Sequence, residues 1–343
     1  MTKARSRRGM AATVLAVAAV AALGLTSCSS GSGSASGSTD SKKVSIVAYS
    51  VPKPAYDALE AGFQGTSQGK GVTFEASYGA SGDQSRAVIN GQHADYVAFS
   101  IEPDLTRLTP DLVDSDWNSG PTKGLVSDSV VVIAVRKGNP KHITGWDDLI
   151  KPGIKIVTPD PGSSGSAKWN LLAAYAHGLI DGGNDERAQA YLKKLAANII
   201  SKPESGNKAT QTFVNGAGDV LLSYENEAIA ARQQGQALDY VVPADSVLIQ
   251  NPAAVTKSAP PAAKDFLDFV ESEQGQKIFA SKGYRPVLPG LDPGTVAGAN
   301  DPEQPYPTLK TLTTIAQLSG WPAVDKKYFD KSSGIITKIL NGS

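Results

Sequence analysis

From Val44 onward, short apolar runs alternate with helix-patterned stretches, and this alternation restricts the fold more than any other feature. Residues 44–50 (VSIVAYS), 72–78, 95–99, 126–138, 154–158, 220–224 and 238–243 read as strands. Residues 54–64, 83–91, 145–150, 167–180, 185–198, 262–282 and the 308–319 region read as helices. A chain whose apolar period switches back and forth in this way builds α/β layers with mostly parallel sheets. Its 343 residues exceed one ordinary domain and suit about two lobes. The polar loop 115–124 and the Pro-rich stretch 243–260 are the natural crossings between them. The expected organisation is a first lobe at 44–122, a second at 123–248, and a return at 249–343 that gives the C-terminal helices to the first lobe.

Composition removes several function classes. Lys plus Arg number 33 against 33 Asp plus Glu, so the basic excess of a general nucleic-acid binder is missing. Hydrophobic residues make up 41% and charged residues 19%, enough to build a core. The single cysteine excludes an intramolecular disulfide, a thiolate zinc cluster and a CxxC pair. His93, His142 and His177 are too scattered to suggest metal ligands, and no cofactor is expected.

The N-terminus reads as processing rather than fold. Lys3, Arg5, Arg7 and Arg8 precede an uncharged run at 11–25 that is short for a membrane span. The segment ends in Leu25-Thr26-Ser27-Cys28, which is similar to a bacterial lipobox. Residues 1–27 are therefore expected to be a lipoprotein signal peptide and Cys28 the lipidated first residue. Residues 28–43 would then form a Ser/Gly-rich flexible tether. This places the protein at the extracytoplasmic face of a cell membrane, held by its lipid. Loss of 1–27 removes four basic and no acidic residues, so 29 basic face 33 acidic and the formal zero becomes mildly negative.

The informative chemistry lies at strand-to-helix turns. Pro161-Gly162-Ser163-Ser164-Gly165-Ser166-Ala167-Lys168 follows a strand and opens a helix, and Tyr78-Gly79-Ala80-Ser81-Gly82 repeats the arrangement. First helical turns leave N–H groups unpaired and carry the positive end of the macrodipole. Small residues there let an oxyanion approach the backbone. Either loop alone reads as an ordinary Ser N-cap. Two of them in opposed lobes favour an anion held between helix starts. There is no GxxxxGK[ST], no GxGxxG after a strand, and no GxSxG elbow. The acid pairs Asp147-Asp148 and Glu225/Glu227 read as caps or solvent-facing groups rather than as a catalytic dyad.

Taken together, several stretches resemble the periplasmic sulfate-binding proteins of sulfate/thiosulfate ABC importers. They are 80–91 with Ala94-Asp95, 135–141, Trp146 to Gly153, Thr158-Pro159 with Ser163-Ser164-Gly165, and Ala167 to Asn170. The pattern continues through Gly218 to Leu221, Glu225-Asn226-Glu227-Ala228 and Tyr284-Arg285-Pro286. The resemblance runs from about residue 44 to 335. It implies a two-lobed, hinge-closing periplasmic-binding-protein fold (type II) that buries bare sulfate in the interlobe cleft on neutral donors. Carried over by position, Ser81 matches the hydroxyl donor, and Ser164, Gly165 and Ser166 match three successive helix-start N–H donors. Ser50 matches a backbone donor usually carried by Asp, and the 205–208 loop another, placed at Asn207. Tyr224 stands where the family usually has a Trp whose indole N–H donates; Tyr224 either donates through its hydroxyl or packs the cleft.

The resemblance implies a monomeric sulfate receptor that feeds an ABC permease and catalyses nothing. Sulfate carries no proton near neutral pH, so a cleft of donors alone favours it over phosphate, whose proton needs an acceptor. Asp83, where the family often has a basic residue, is expected to be a first-turn acid facing away. The alternatives are a receptor for thiosulfate, molybdate or phosphate, and a surface-anchored serine hydrolase using Ser164 or Ser81.

Overall fold

The computed structural model describes residues 42–342. The expected signal segment, Cys28 and the expected tether up to residue 41 lie outside them, while Lys43, expected in the tether, opens the first strand. The first half opens with β1 (Lys43–Tyr49), α1 (Lys53–Gln64), β2 (Thr73–Gly79), α2 (Ser81–Ile89), β3 (Tyr96–Ala98) and α3 (Glu102–Thr106). The chain then crosses through a long strand, β4 (Leu125–Arg136), to a 3-10 turn at Trp146–Ile150, β5 (Ile156–Val157), α4 (Gly165–Leu179) and α5 (Asp185–Ala197). There follow β6 (Ile199–Ser201), α6 (Gly206–Val214), β7 (Val220–Tyr224), α7 (Glu225–Gln233) and β8 (Leu238–Val241). A second long strand, β9 (Asp245–Val255), returns to α8 (Pro261–Glu271) and α9 (Glu273–Ser281), and the chain closes with β10 (Thr311–Thr313), α10 (Trp321–Val324) and α11 (Ile335–Leu340).

The strands follow the order β2-β1-β3-β9-β4-β7-β5-β6, with β10 beside β9 and β8 beside β4. Pairing is parallel in β1–β2, β1–β3, β5–β6 and β5–β7. The two long strands run antiparallel to each other and to β3, β7 and β8, and β9 is parallel only to the short β10. They also divide the sheet. Residues 125–130 of β4 pair with 248–252 of β9, beyond which β4 joins β7 and β8 while the end of β9 joins β3. The crossing is therefore a two-stranded ribbon: the stretch expected to cross at 243–260 does so as β9, paired with β4 just after the polar loop 115–124. Pro252 fits it because the missing N–H falls at a register shift near Leu125, while its carbonyl still accepts from Phe99 N–H at 3.0 Å.

Each half has its own core. Val44, Ile46, Tyr56, Phe63, Tyr96, Phe266 and Phe279 fill the first, where α1, α8 and α9 cover one face of the sheet. In the second half α4 is buried nearly all round, as its sequence GSAKWNLLAAYAHGL requires, and packs along α5. Three expectations change. The helix expected over 262–282 breaks at Ser272, whose extended backbone ends α8 and whose hydroxyl caps α9 by accepting from Gly275 N–H. The 308–319 region is β10 followed by turns, because residues 311–313 pair with 245–247. Of the C-terminal helices, α11 packs on α5 while α10 touches α3 and sets Trp321 edge-on to Trp169 at 4.9 Å, so residues 249–343 do not pack as one unit on the first half.

Candidate functional site

Helices α1, α2 and α7 begin within four residues of a strand's carboxyl end and α4 within eight, and the strands before α1 and α2 run opposite to those before α4 and α7, so the two sets of N-termini come from opposite directions. The contacts show which of them meet. Gly82 N–H in α2 donates to Ser163 O at 3.0 Å, joining the first half to the loop before α4. A Cβ on Gly165 would lie 2.7 Å from both Cβ and Oγ of Ser100, which follows β3. A Cβ on Gly206, the first residue of α6, would lie 2.8 Å from Val51 Cγ2 and 3.0 Å from Ser166 Oγ. Backbone approach this close requires glycine at both positions. The starts of α2, α4 and α6 and the turns after β1, β3 and β7 thus meet at one place.

Among the described residues, the N–H groups of Gly165, Ser166 and Ala167 have no protein acceptor, as expected for an open helix start. Ser164 differs from the expectation. Its N–H already donates to Asp160 O at 2.8 Å, so its available donor is the hydroxyl. Ser164 occupies the N-cap position of α4, yet its side chain makes no cap bond. The ordinary cap is instead Ser205, which accepts from Lys208 N–H at 3.3 Å. Asn207 lies in the first turn of α6, half-buried, with its side-chain oxygen accepting from Gln211. Ser50 lies half-buried in the turn after β1.

Ser81 is a correction. Its side chain is 2% exposed, and its hydroxyl donates to Asp104 Oδ2 at 2.6 Å while accepting from Ser100 N–H at 2.9 Å. That proton is committed, leaving Ser81 its backbone N–H at the start of α2. Burial raises the Asp104 pKa, and the Ser81 hydroxyl and Arg107 at 3.2 Å oppose that rise. Asp83 is exposed and paired with Arg86 one turn on. At the Gly82–Ser163 seam lies a cavity of about 170 Å³ lined by Ser164 and Gly165 together with Arg86, Arg107, Lys168 and Lys331. Another cavity, about 490 Å³, lies between α5 and α11, away from these helix starts.

Tyr224 is fully buried at the N-cap position of α7, and its hydroxyl lies 2.6 Å from Ser100 Oγ. Burial pushes its pKa well up, so the hydroxyl stays protonated. Glu225 and Glu227 are buried rather than solvent-facing. Arg285 clamps Glu225 at 2.7 Å, and Ser223 Oγ donates to Glu227 Oε2 at 2.6 Å. Burial raises both carboxyls. Sequence reasoning missed Ser100 and Asn251, whose Nδ2 donates to Ser100 O at 3.0 Å. Ser100 carried a usable signal, since it is a polar residue directly after a strand, as Ser50 is.

Among the described residues no helix is long and apolar enough to cross a membrane. The family model for bacterial extracellular solute-binding protein matches residues 44–285. A sulfate-binding protein of Synechococcus elongatus is 35% identical over 327 residues, 92% of this chain and 91% of its own. A thiosulfate-binding protein of Pseudomonas aeruginosa is 31% identical over 298 residues, 82% of this chain and 88% of its own. The solved sulfate-binding protein SubI from Mycobacterium tuberculosis is 44% identical with a TM-score of 0.78, over 84% of this chain and 100% of that one. With agreement of this extent over a shared α/β fold, the chain belongs to the sulfate-binding-protein family of bacterial extracellular solute-binding proteins.

Proposed function

We propose that this protein captures sulfate between its two halves, acting as lobes, and delivers it to an ABC importer without catalysing a reaction. The observation that carries the reading is the meeting of helix starts from both halves around neutral donors. The backbone N–H groups of Ser50, Ser81, Gly165, Ser166 and Asn207 and the hydroxyls of Ser164 and Tyr224 are the groups we assign to the anion. Each hydrogen bond to a charged acceptor contributes about 1.5–3 kcal/mol, so six or seven offset much of the dehydration of a dianion. The β4–β9 ribbon is the one connection in the sheet that a hinge motion would flex, and closure is the signal a permease reads. Lobe boundaries at 44–122, 123–248 and 249–281 follow this ribbon, with α10 and α11 moving with the second lobe.

We assign membrane attachment to lipidated Cys28 and the working form to a monomer. Calorimetry on the full chain in detergent, with sulfate, thiosulfate, molybdate and phosphate, tests the function. Sulfate should bind with one site per chain and phosphate should not. Absence of sulfate binding up to millimolar concentration refutes the reading. Thiosulfate is the second reading, favoured by the Pseudomonas aeruginosa relative. Cys28→Ser should release the protein from membranes; retention would refute the anchor.

A further inference from the structure

The polar atoms of Ser100 are all engaged, by partners from four different elements. Its N–H donates to Ser81 Oγ at 2.9 Å at the start of α2. Its carbonyl accepts from Trp169 Nε1 in α4 at 2.8 Å and from Asn251 Nδ2 in β9 at 3.0 Å. Its hydroxyl meets that of Tyr224 at 2.6 Å. The residue is 0% exposed, so no water competes for these bonds. With backbone N–H and C=O both held, the Oγ has little freedom, and it lies against the first residue of α4, where a Cβ on Gly165 would come within 2.7 Å.

We propose that Ser100 belongs to the anion site, its hydroxyl and that of Tyr224 acting as one pair that holds a single proton toward the bound oxyanion. The inference rests on the sulfate reading of the cleft. Two hydroxyls carry two protons, and the bond between them uses one. Whichever oxygen donates in that bond, one proton remains for a third group. Burial raises the Tyr224 pKa, and the donors of Ser100, Ser166 and Asn251 oppose that rise, so donor groups stand on the Tyr224 side of the pair. With donors on that side, the second proton of the pair is the one left for the anion. A lone Tyr hydroxyl could turn either its proton or a lone pair to the ligand; Ser100 fixes the choice. The pair thereby supplies the single N–H-like donor that the tyrosine, in place of tryptophan, would otherwise give up.

Calorimetric sulfate titration of the full chain and of Ser100→Ala, Tyr224→Phe and the double variant tests this. Each single variant should weaken sulfate roughly tenfold or more, the loss of one hydrogen bond to a charged group. The double variant should be no weaker than Tyr224→Phe alone, because the two hydroxyls act as one donor. A purely structural role for Ser100 would make the losses add, and additive losses overturn the proposal, as does unchanged affinity in Ser100→Ala. Circular dichroism melting checks the fold. Should Ser100→Ala fail to fold, Ser100→Cys, of similar shape and with a weak donor, replaces it under the same criteria. Absence of sulfate binding in the unaltered chain overturns the reading of the whole site and this inference with it. Binding by the unaltered chain with additive or absent losses overturns the Ser100 inference alone.

Discussion

Replacing Gly165 with Ala separates closure from folding. The added Cβ would sit 2.7 Å from Ser100 Cβ and Oγ and 3.2 Å from Ile101 Cγ2. Carbon atoms at rest stand about 3.5–4.0 Å apart, so the two halves must part by roughly 0.8 Å or more at this contact. Ser100 cannot yield, because bonds of 2.9, 2.8, 3.0 and 2.6 Å hold its N–H, carbonyl and hydroxyl. Overpacking of this kind costs about 1–3 kcal/mol. That cost falls on the state in which the halves touch, so sulfate affinity should drop by about 5- to 150-fold at 1.4 kcal/mol per decade. The ligand-free protein should not suffer, since Ala at a helical position restricts the unfolded chain and stabilises by about 0.4–1 kcal/mol. Calorimetry and thermal melting with and without sulfate measure both sides. The expected result is an unchanged or slightly raised ligand-free Tm with a much smaller upward shift on adding sulfate. Affinity within twofold of the parent would refute the closure argument. A ligand-free Tm that falls steeply would show that the contact belongs to the permanent core.

Two further expectations concern the ribbon and the helix beside it. Arg285→Met strands the fully buried Glu225 carboxylate, so urea unfolding at pH 7 should show a loss of about 3–5 kcal/mol, shrinking as the pH falls and Glu225 takes up a proton. Adding Glu225→Gln should recover most of it; no recovery would mean that the guanidinium acts mainly through packing or Pro307. Asp128 lies on the β4–β9 ribbon opposite Gln250, and burial pushes its carboxyl up from 3.8 to about 7. Its folded pKa is raised, so native stability from this group is full below about pH 4 and is lost progressively up to about pH 7. Asp128→Asn should therefore match the parent near pH 4 and exceed it by up to about 4 kcal/mol above pH 7, at 1.36 kcal/mol per unit. A constant difference across that range in chemical denaturation would refute the assignment.

The sequence alone determined the α/β alternation, the strand-to-helix loops and their small residues, because period, glycine placement and helix starts are written locally. It also carried the resemblance that led to the sulfate-binding relatives. Tertiary structure decided everything that depends on which distant groups meet. Serine at a helix start reads the same whether its proton is free or spent, and only the approach of α3 brought Asp104 to Ser81. Ser164 and Ser205 look alike in sequence, but Ser205 caps its helix and Ser164 does not. Glu225 and Glu227 have the local pattern of exposed first-turn acids, and Arg285, sixty residues away, made burial of Glu225 tolerable. The Pro-rich 243–260 stretch became a strand because β3 and β4 offered it partners on either side. The charge of the chain could be counted from composition. That four elements would converge on Ser100 could not, since the direction of a buried hydrogen bond is set by packing across the fold rather than by neighbours along the chain.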